Sequence, residues 1–160
     1  MSRQFLITLL VGVAVIGAGL YTTVRVNKAH LLTLTGTIDN VRAVSLTPEA
    51  TLVIVDFTAT NPSAVPFELR ELELERVEGD KVTPSGRLNR SEIENFFDYY
   101  KLPRRGAVFG LGDKVGPGEK VQRMIAARFE LLPEGLEKAT YRIRFHHYDN
   151  VTAEIMGKKP

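Results

Sequence analysis

The stretch that decides the fold class reads LVIVDFTA and covers residues 52–59. β-branched and aromatic residues dominate it, and its apolar side chains alternate between two faces. They are Val53, Val55 and Phe57 on one face and Leu52 and Ile54 on the other. A strand that is apolar on both faces is typically covered on both sides, so we predict a central strand here. Asn61-Pro62-Ser63 ends it, because proline has no backbone N–H to donate to a ladder.

Apolar and polar residues also alternate in the sequence on either side of this strand, which is typical of strands with one buried face. These segments cover residues 32–38, 41–45, 65–77, 107–111, 121–131, 140–148 and 151–155. The pair Asp39-Asn40 and the triplet Glu78-Gly79-Asp80 are turn sequences. We therefore predict an all-β fold, an immunoglobulin-like β-sandwich of about seven strands with one inserted short helix.

The segment at residues 65–77 contains a shift of one position in its apolar pattern. Apolar residues fall on odd positions up to Leu69 and on even positions from Leu72 onwards. A regular strand would turn one of the two sets away from the core. A β-bulge near Arg70-Glu71 keeps both sets inside, as happens where a strand passes from one sheet of a sandwich to the other.

One helix is predicted within the sandwich, beginning at a capping box formed by Ser91 and Glu94. The residues spaced i, i+3, i+4 and i+7 make one apolar face, namely Ile93, Phe96, Phe97 and Tyr100. Leu102-Pro103 ends the helix. We expect its aromatic face to cover an open end of the sandwich.

The end of this helix carries the candidate interaction residues, Tyr99, Lys101, Arg104 and Arg105. In one interpretation the three basic side chains only balance the helix dipole, and Tyr99 packs against the sandwich. In the other, all four form an exposed aromatic and cationic patch that binds a partner. The sequence leaves both open.

The first residues of the chain have a different character, because residues 5–26 are nearly all apolar and leave no polar stripe on a helix. About 20 helical residues reach roughly 30 Å, the thickness of a hydrocarbon core. We predict an N-terminal transmembrane helix, with residues 1–28 as membrane anchor and flank and residues 29–160 as the sandwich domain.

Two alternatives to a retained anchor are a cleaved signal sequence and a buried helix of a soluble fold. The best small-residue pair for cleavage is Gly17 with Gly19, and apolar character continues beyond it. A four-residue tail is not easily exported without its own signal, so we place the N-terminus inside. The protein is then a single-pass membrane protein with its domain on the extracytoplasmic (periplasmic) side.

The charge distribution argues against a nucleic-acid partner. The chain has a net charge of +2, and Arg3, Arg25 and Lys28 are the charged residues of the first 28 positions. The rest of the chain is therefore close to neutral, whereas nucleic-acid binding needs Lys and Arg gathered on one face. The chain has no cysteine, which excludes disulfides.

The sequence contains no assembled set of catalytic, metal-binding or cofactor-binding residues, so we expect neither an enzyme nor a cofactor. The glycines at residues 110–118 do not form a phosphate loop, because no Ser or Thr follows Lys114. His146 and His147 are neighbours in a predicted strand, so their side chains point to opposite faces and do not share a metal.

Four segments together carry a family resemblance: Gly36-x-Ile38, DFTATNPS at residues 56–63, VPFEL at residues 65–69 and VGPGE at residues 115–119. They resemble the late-embryogenesis-abundant, water-stress and hypersensitive-response type of sandwich domain over about residues 30–147. Those domains place an Asn-Pro turn after a central strand and a Pro-Gly turn before a late one. The resemblance implies binding, desiccation protection or scaffolding, without catalytic residues.

These observations lead to one functional hypothesis and one alternative. We expect a non-catalytic, membrane-anchored binding or scaffolding module of the cell envelope, held in the membrane by residues 5–26 and contacting envelope proteins. The alternative is an exported soluble domain that binds a ligand or protects other proteins under water stress.

Overall fold

The computed structural model describes residues 10, 12–19, 21, 32–134, 136 and 139–157. The chain divides into two units, Met1–Leu31 and Leu32–Pro160. In the first unit, residues 12–19 are helical (α1) and their large apolar side chains are exposed. Most of the predicted anchor at residues 5–26 lies outside the described residues.

Among the residues described, no helix has both the length and the apolar character that crossing a membrane requires.

The second unit contains two β-sheets, which confirms the predicted all-β sandwich. The strands are β1 (Thr35–Thr47), β2 (Ala50–Thr60), β3 (Phe67–Glu78), β4 (Lys81–Pro84), β5 (Ala107–Val108), β6 (Lys114–Val115), β7 (Lys120–Phe129), β8 (Thr140–His147) and β9 (Thr152–Met156). Sheet I has the order β1-β2-β7-β5, and sheet II has the order β4-β3-β8-β9, with β6 beside β3. β5 runs parallel to β7, and the other pairs are antiparallel.

The strand β2 lies between β1 and β7, in agreement with the central strand predicted from its sequence. One of its faces joins the core between the two sheets. On its other face, Leu52 and Ile54 pack with Ile93 and Phe97 of helix α2 (Arg90–Tyr99). The helix thus covers the outer face of sheet I, and the prediction that it covers an open end of the sandwich is wrong. An apolar outer face on β2 requires such a cover.

Helix α2 also begins earlier than predicted. Its N-cap is Asn89, whose side chain accepts a 2.9 Å hydrogen bond from the backbone N–H of Glu92. The Glu92 carboxylate in turn accepts a 2.7 Å hydrogen bond from the backbone N–H of Asn89. Asparagine caps a helix as well as serine does, so the capping box starts at Asn89, and Ser91 lies inside the helix.

The turn predicted at Asp39-Asn40 is absent, because β1 continues through both residues. The register between β1 and β2 shifts between Ile38 and Asn40, so Asp39 is the extra residue of a β-bulge. Its carboxylate accepts hydrogen bonds from the hydroxyls of Thr37 (2.9 Å) and Thr58 (2.6 Å). These bonds hold Asp39 within the strand, although its residue type favours a turn.

The bulge predicted in β3 is confirmed. The register between β3 and β8 shifts between Leu69 and Glu71, so Arg70 is the extra residue. Leu69 before it and Leu74 after it are both buried. The Arg70 guanidinium donates a 2.7 Å hydrogen bond to Asn150 Oδ1. The partners of β3 are β4, β6 and β8, all in sheet II. The bulge therefore turns the apolar side chains that follow it back toward the core, and β3 does not pass from one sheet to the other.

Strand β8 alternates as predicted, with Tyr141, Ile143 and Phe145 buried and Arg142, Arg144 and His146 on the outer face. The Glu75 carboxylate of β3 accepts hydrogen bonds from Arg142 (2.7 Å) and Arg144 (3.0 Å) on that face. The predicted turn between β3 and β4 is also confirmed, with Gly79 at a φ of +57°.

Tyr141 connects the segment before β8 to the core. Its ring lies 6.0 Å from that of Phe129, and its hydroxyl donates a 2.7 Å hydrogen bond to the carbonyl of Leu136. Burial raises the pKa of Tyr141 to about 12, and the charge of Arg76 opposes part of that rise. The folded state therefore favours the neutral phenol more strongly than the unfolded chain does.

We expect the free energy of unfolding to fall as the pH rises from about 10 to about 12, because the folded-state pKa of Tyr141 exceeds its unfolded value. Below pH 10 this contribution is fully present. Tyr141→Phe has no phenol to ionise and should lose less stability over the same interval. Urea denaturation at a series of pH values measures both proteins, and an equal loss in the two would contradict the prediction.

Candidate interaction surface

The four predicted interaction residues lie on the last turn of α2 and just beyond it, and we call them the helix-end patch. Tyr99 is 81% exposed, and Lys101, Arg104 and Arg105 are exposed as well. The Tyr99 ring contacts Tyr100 edge to face, with 4.9 Å between the ring centroids. Tyr99 therefore does not pack against the sandwich. The interpretation in which it does so would require its ring to be buried.

The positive charge of the patch is balanced only in part. Arg104 pairs with Asp98 at 2.6 Å, and its guanidinium carbon lies 5.8 Å from the centre of the Phe97 ring. Within the described part of the chain, Lys101 and Arg105 form no ion pair. Two cations that form no ion pair in this part of the chain therefore follow the exposed Tyr99, at positions 101 and 105.

The backbone after α2 is held against the outer face of sheet I. Lys101 has a φ of +51°, in the left-handed region that often ends helices. The next residue, Leu102, donates its N–H to the carbonyl of Phe97 at 3.0 Å and packs its side chain with the apolar cluster beneath the helix.

Arg42 of β1 also holds the segment that follows α2. Sequence reasoning did not predict this role. Its guanidinium donates to the carbonyl of Pro103 (2.6 Å) and to Asp56 Oδ1 (2.9 Å). The other Asp56 oxygen accepts from Asn40 at 3.1 Å. Asp56 could have indicated it, since this carboxylate lies within an apolar strand and a buried carboxylate needs a charged or hydrogen-bonding partner. The patch thus lies on the last turn of α2 and on a loop that is held by hydrogen bonds.

The two histidines lie on opposite faces of β8, as predicted. His147 is buried, with its ring centroid 5.2 Å from that of Phe67. His146 lies on the outer face, 3.4 Å from a Glu73 oxygen. Over the described ranges, no three His, Asp or Glu side chains are grouped as metal ligands.

A cavity of about 330 Å³ lies at the edge where β3 of sheet II and β7 of sheet I separate. Residues 85–90, which lead into α2, form one wall, and residues 109–111, which follow β5, form another. Sequence reasoning did not predict this cavity, because its walls come from segments that are distant along the chain.

No protein-family model matches this chain, and no curated protein sequence matches it. Several solved structures are similar to this chain at low scores, among them the following three. The archaellum periplasmic stator protein FlaG from Sulfolobus acidocaldarius is 14% identical, with 79% of this chain and 99% of that chain covered and a TM-score of 0.37. A chain of the FlaF–FlaG stator complex from the same organism is 14% identical, with coverages of 77% and 86% and a TM-score of 0.35.

The third structure is a Niemann-Pick type C2 protein from the Japanese carpenter ant. It is 13% identical, with 77% of this chain and 92% of that chain covered and a TM-score of 0.33. None of the three is a late-embryogenesis-abundant or hypersensitive-response domain. At these scores and identities, the likenesses decide neither the family nor the function of the chain.

Proposed function

We propose that this chain is a non-catalytic binding or scaffolding module of the cell envelope, a membrane-anchored, immunoglobulin-like sandwich whose helix-end patch binds a protein partner on the extracytoplasmic side. The observation that carries the proposal is the exposure of Tyr99, at 81%, at the end of α2. Lys101 and Arg105 follow it closely in the chain and form no ion pair among the described residues. Exposed aromatic and arginine side chains are enriched at protein interfaces and provide most of the binding energy there.

The chemistry of the patch also indicates the kind of partner. Lys101 and Arg105 favour an acidic surface, because opposite charges speed association and suppress wrong partners. The Tyr99 ring supplies an apolar contact at low cost in side-chain entropy. Because Arg42 and Leu102 already hold the loop, little ordering is required when the partner binds.

The membrane part of the proposal rests on the first unit. Val13, Val15 and Ile16 of α1 are exposed, and such a concentration of exposed apolar side chains is unfavourable in water. Hydrocarbon would cover them, and the apolar run at residues 5–26 has the length to span it.

The test of the patch is a variant of the full chain in which Tyr99, Lys101, Arg104 and Arg105 are all replaced by Ser. Thermal stability should change little, because exposed substitutions usually cost less than about 0.5 kcal/mol each. Crosslinking to the partner in intact cells should fall by at least about tenfold, as expected when a binding hot spot is removed.

A matched control replaces one tyrosine and three basic residues that are exposed elsewhere on the domain. These are Tyr148, Lys81, Lys120 and Arg128. The control should retain the wild-type crosslinks. A wild-type crosslinking profile in a stably folded patch variant would show that the patch is not the binding site.

Membrane fractionation of the same cells tests the anchor. The full-length protein should stay in the membrane pellet after carbonate extraction. A product about 2 kDa lighter that is released by carbonate would instead support the exported domain with a cleaved signal.

A further inference from the structure

The edge of β7 contains a gap in its hydrogen bonding. On the side away from β2, the carbonyl of Met124 accepts a 2.8 Å bond from the N–H of Phe109. Farther along, Gly86 and Arg128 exchange backbone bonds of 2.7 and 3.3 Å. Every second residue of an antiparallel strand points its N–H and C=O to the same side. The N–H and C=O of Ala126 therefore point away from β2, like those of Met124 and Arg128. Neither has a hydrogen-bond partner in the described part of the chain.

This gap opens into the cavity of about 330 Å³, and Ala126 is one of its lining residues. Apolar side chains from both sheets and α2 form the walls, among them Leu72, Leu74, Ile93, Phe109 and Ile125. A cavity of about 150 Å³ is enough to hold benzene, so this one has room for a ring and a polar group. Ala126 is only 5% exposed, and buried peptide groups without partners are unfavourable.

The charged groups around the cavity are paired with one another. Arg87 pairs with Glu71 and lies 3.3 Å from Glu73, and Arg90 pairs with Asp113. No charged side chain among the cavity's lining residues is thus left without an ion-pair partner to attract an ionic ligand. The electrostatics therefore favour a neutral ligand.

The length of the gap excludes an extended peptide. The β5 pairing occupies the edge at Met124, and Gly86 occupies it at Arg128. One residue, Ala126, is left between them. A strand cannot lie along so short an edge, whereas a single amide group fits it.

We propose that the cavity binds a small neutral molecule that carries a primary amide on an apolar body. The amide carbonyl accepts from the Ala126 N–H, and the amide N–H donates to the Ala126 carbonyl. A primary amide presents both groups on one side, whereas the usual trans secondary amide presents them on opposite sides. A carboxylate has no donor for the Ala126 carbonyl.

The test compares benzamide with acetophenone, which has nearly the same shape but a methyl group in place of the NH₂. The ¹⁵N-labelled full chain is titrated with each in detergent solution and followed by amide correlation spectra. Benzamide should shift the Ala126 amide proton downfield saturably, with a dissociation constant roughly tenfold below that of acetophenone.

Two substitutions locate the binding. Leu72→Phe narrows the cavity and should abolish the benzamide shift. Leu132→Phe is the matched control, because Leu132 is exposed and lies outside the cavity. A shift that persists in Leu72→Phe would overturn the proposal, as would equal dissociation constants for the two probes or an unmoved Ala126 resonance. If Leu72→Phe does not fold, the two probes on the wild-type chain decide the question alone.

Discussion

Phe57→Ala should lower the free energy of unfolding by about 3–5 kcal/mol, because it removes a large side chain from the centre of the core. Phe57 is 1% exposed. Its ring centroid lies 5.5 Å from that of Phe145 in sheet II and 5.9 Å from that of Phe109 after β5. These neighbours come from different elements and cannot all move inward to fill the space. Chemical denaturation of the full chain measures the loss.

The control for this prediction is Phe57→Leu, which keeps an apolar side chain at the site, leaves a smaller space and should cost clearly less than Phe57→Ala. Phe96→Ala removes the same ring from the half-buried face of α2 and should also cost less than Phe57→Ala. A melting temperature that is unchanged in Phe57→Ala would show that β2 does not form the centre of the core.

The strands could be predicted because their signal is local. Alternation with a period of two follows directly from the geometry of an extended chain, so a run such as residues 52–59 reveals both of its faces. The bulge at Arg70 was predictable for the same reason, since a shift in that period must be absorbed by one extra residue.

The position of α2 could not be derived in this way. Alternation shows that the outer face of β2 is apolar, but it does not say which segment covers that face. The helix start was misplaced because Asn89 and Ser91 are both good N-caps with a glutamate three residues later. The sequence predicts a turn at Asp39-Asn40 because these residue types favour turns. The hydrogen bonds of Asp39 to Thr37 and Thr58 arise only once β1 pairs with β2, so the sequence pattern does not reveal them.

In the candidate site, too, the features that are local in the sequence could be predicted and the contacts between distant residues could not. The helix-end patch is a local cluster in the sequence, so its residues could be named, and the structure adds their exposure. The support beneath it could not be named, because Arg42 and Pro103 are 61 residues apart in the chain. The cavity beside Ala126 likewise depends on where β5 and Gly86 meet the edge of β7.

Asn61 shows how a residue that ends a strand also joins distant parts of the fold. It is fully buried, and its Nδ2 donates to the carbonyls of Val65 (2.8 Å) and Val115 (2.9 Å). Its Oδ1 accepts from the N–H of Ser63 at 3.0 Å. Its backbone also pairs with the turn before β7, where Gly118 donates to its carbonyl at 2.8 Å. The side chain thus connects the loop after β2 with β6.

Asn61→Ala should therefore cost about 2–4 kcal/mol, because the buried carbonyl of Val115 and the buried N–H of Ser63 lose the bonds that the Asn61 side chain makes, at roughly 1–3 kcal/mol each before any relaxation. The carbonyl of Val65 keeps a 3.0 Å bond from the Ser63 hydroxyl. Asn61→Asp keeps the acceptor for Ser63 but turns an oxygen toward the carbonyls of Val65 and Val115, so it should be at least as destabilising. Ser63→Ala is the control: it removes one hydroxyl and should cost about 1 kcal/mol. Denaturant titration compares the three variants. A loss below about 1 kcal/mol in Asn61→Ala would mean that water satisfies the freed groups, and the connection between β2 and β6 would then not depend on this side chain.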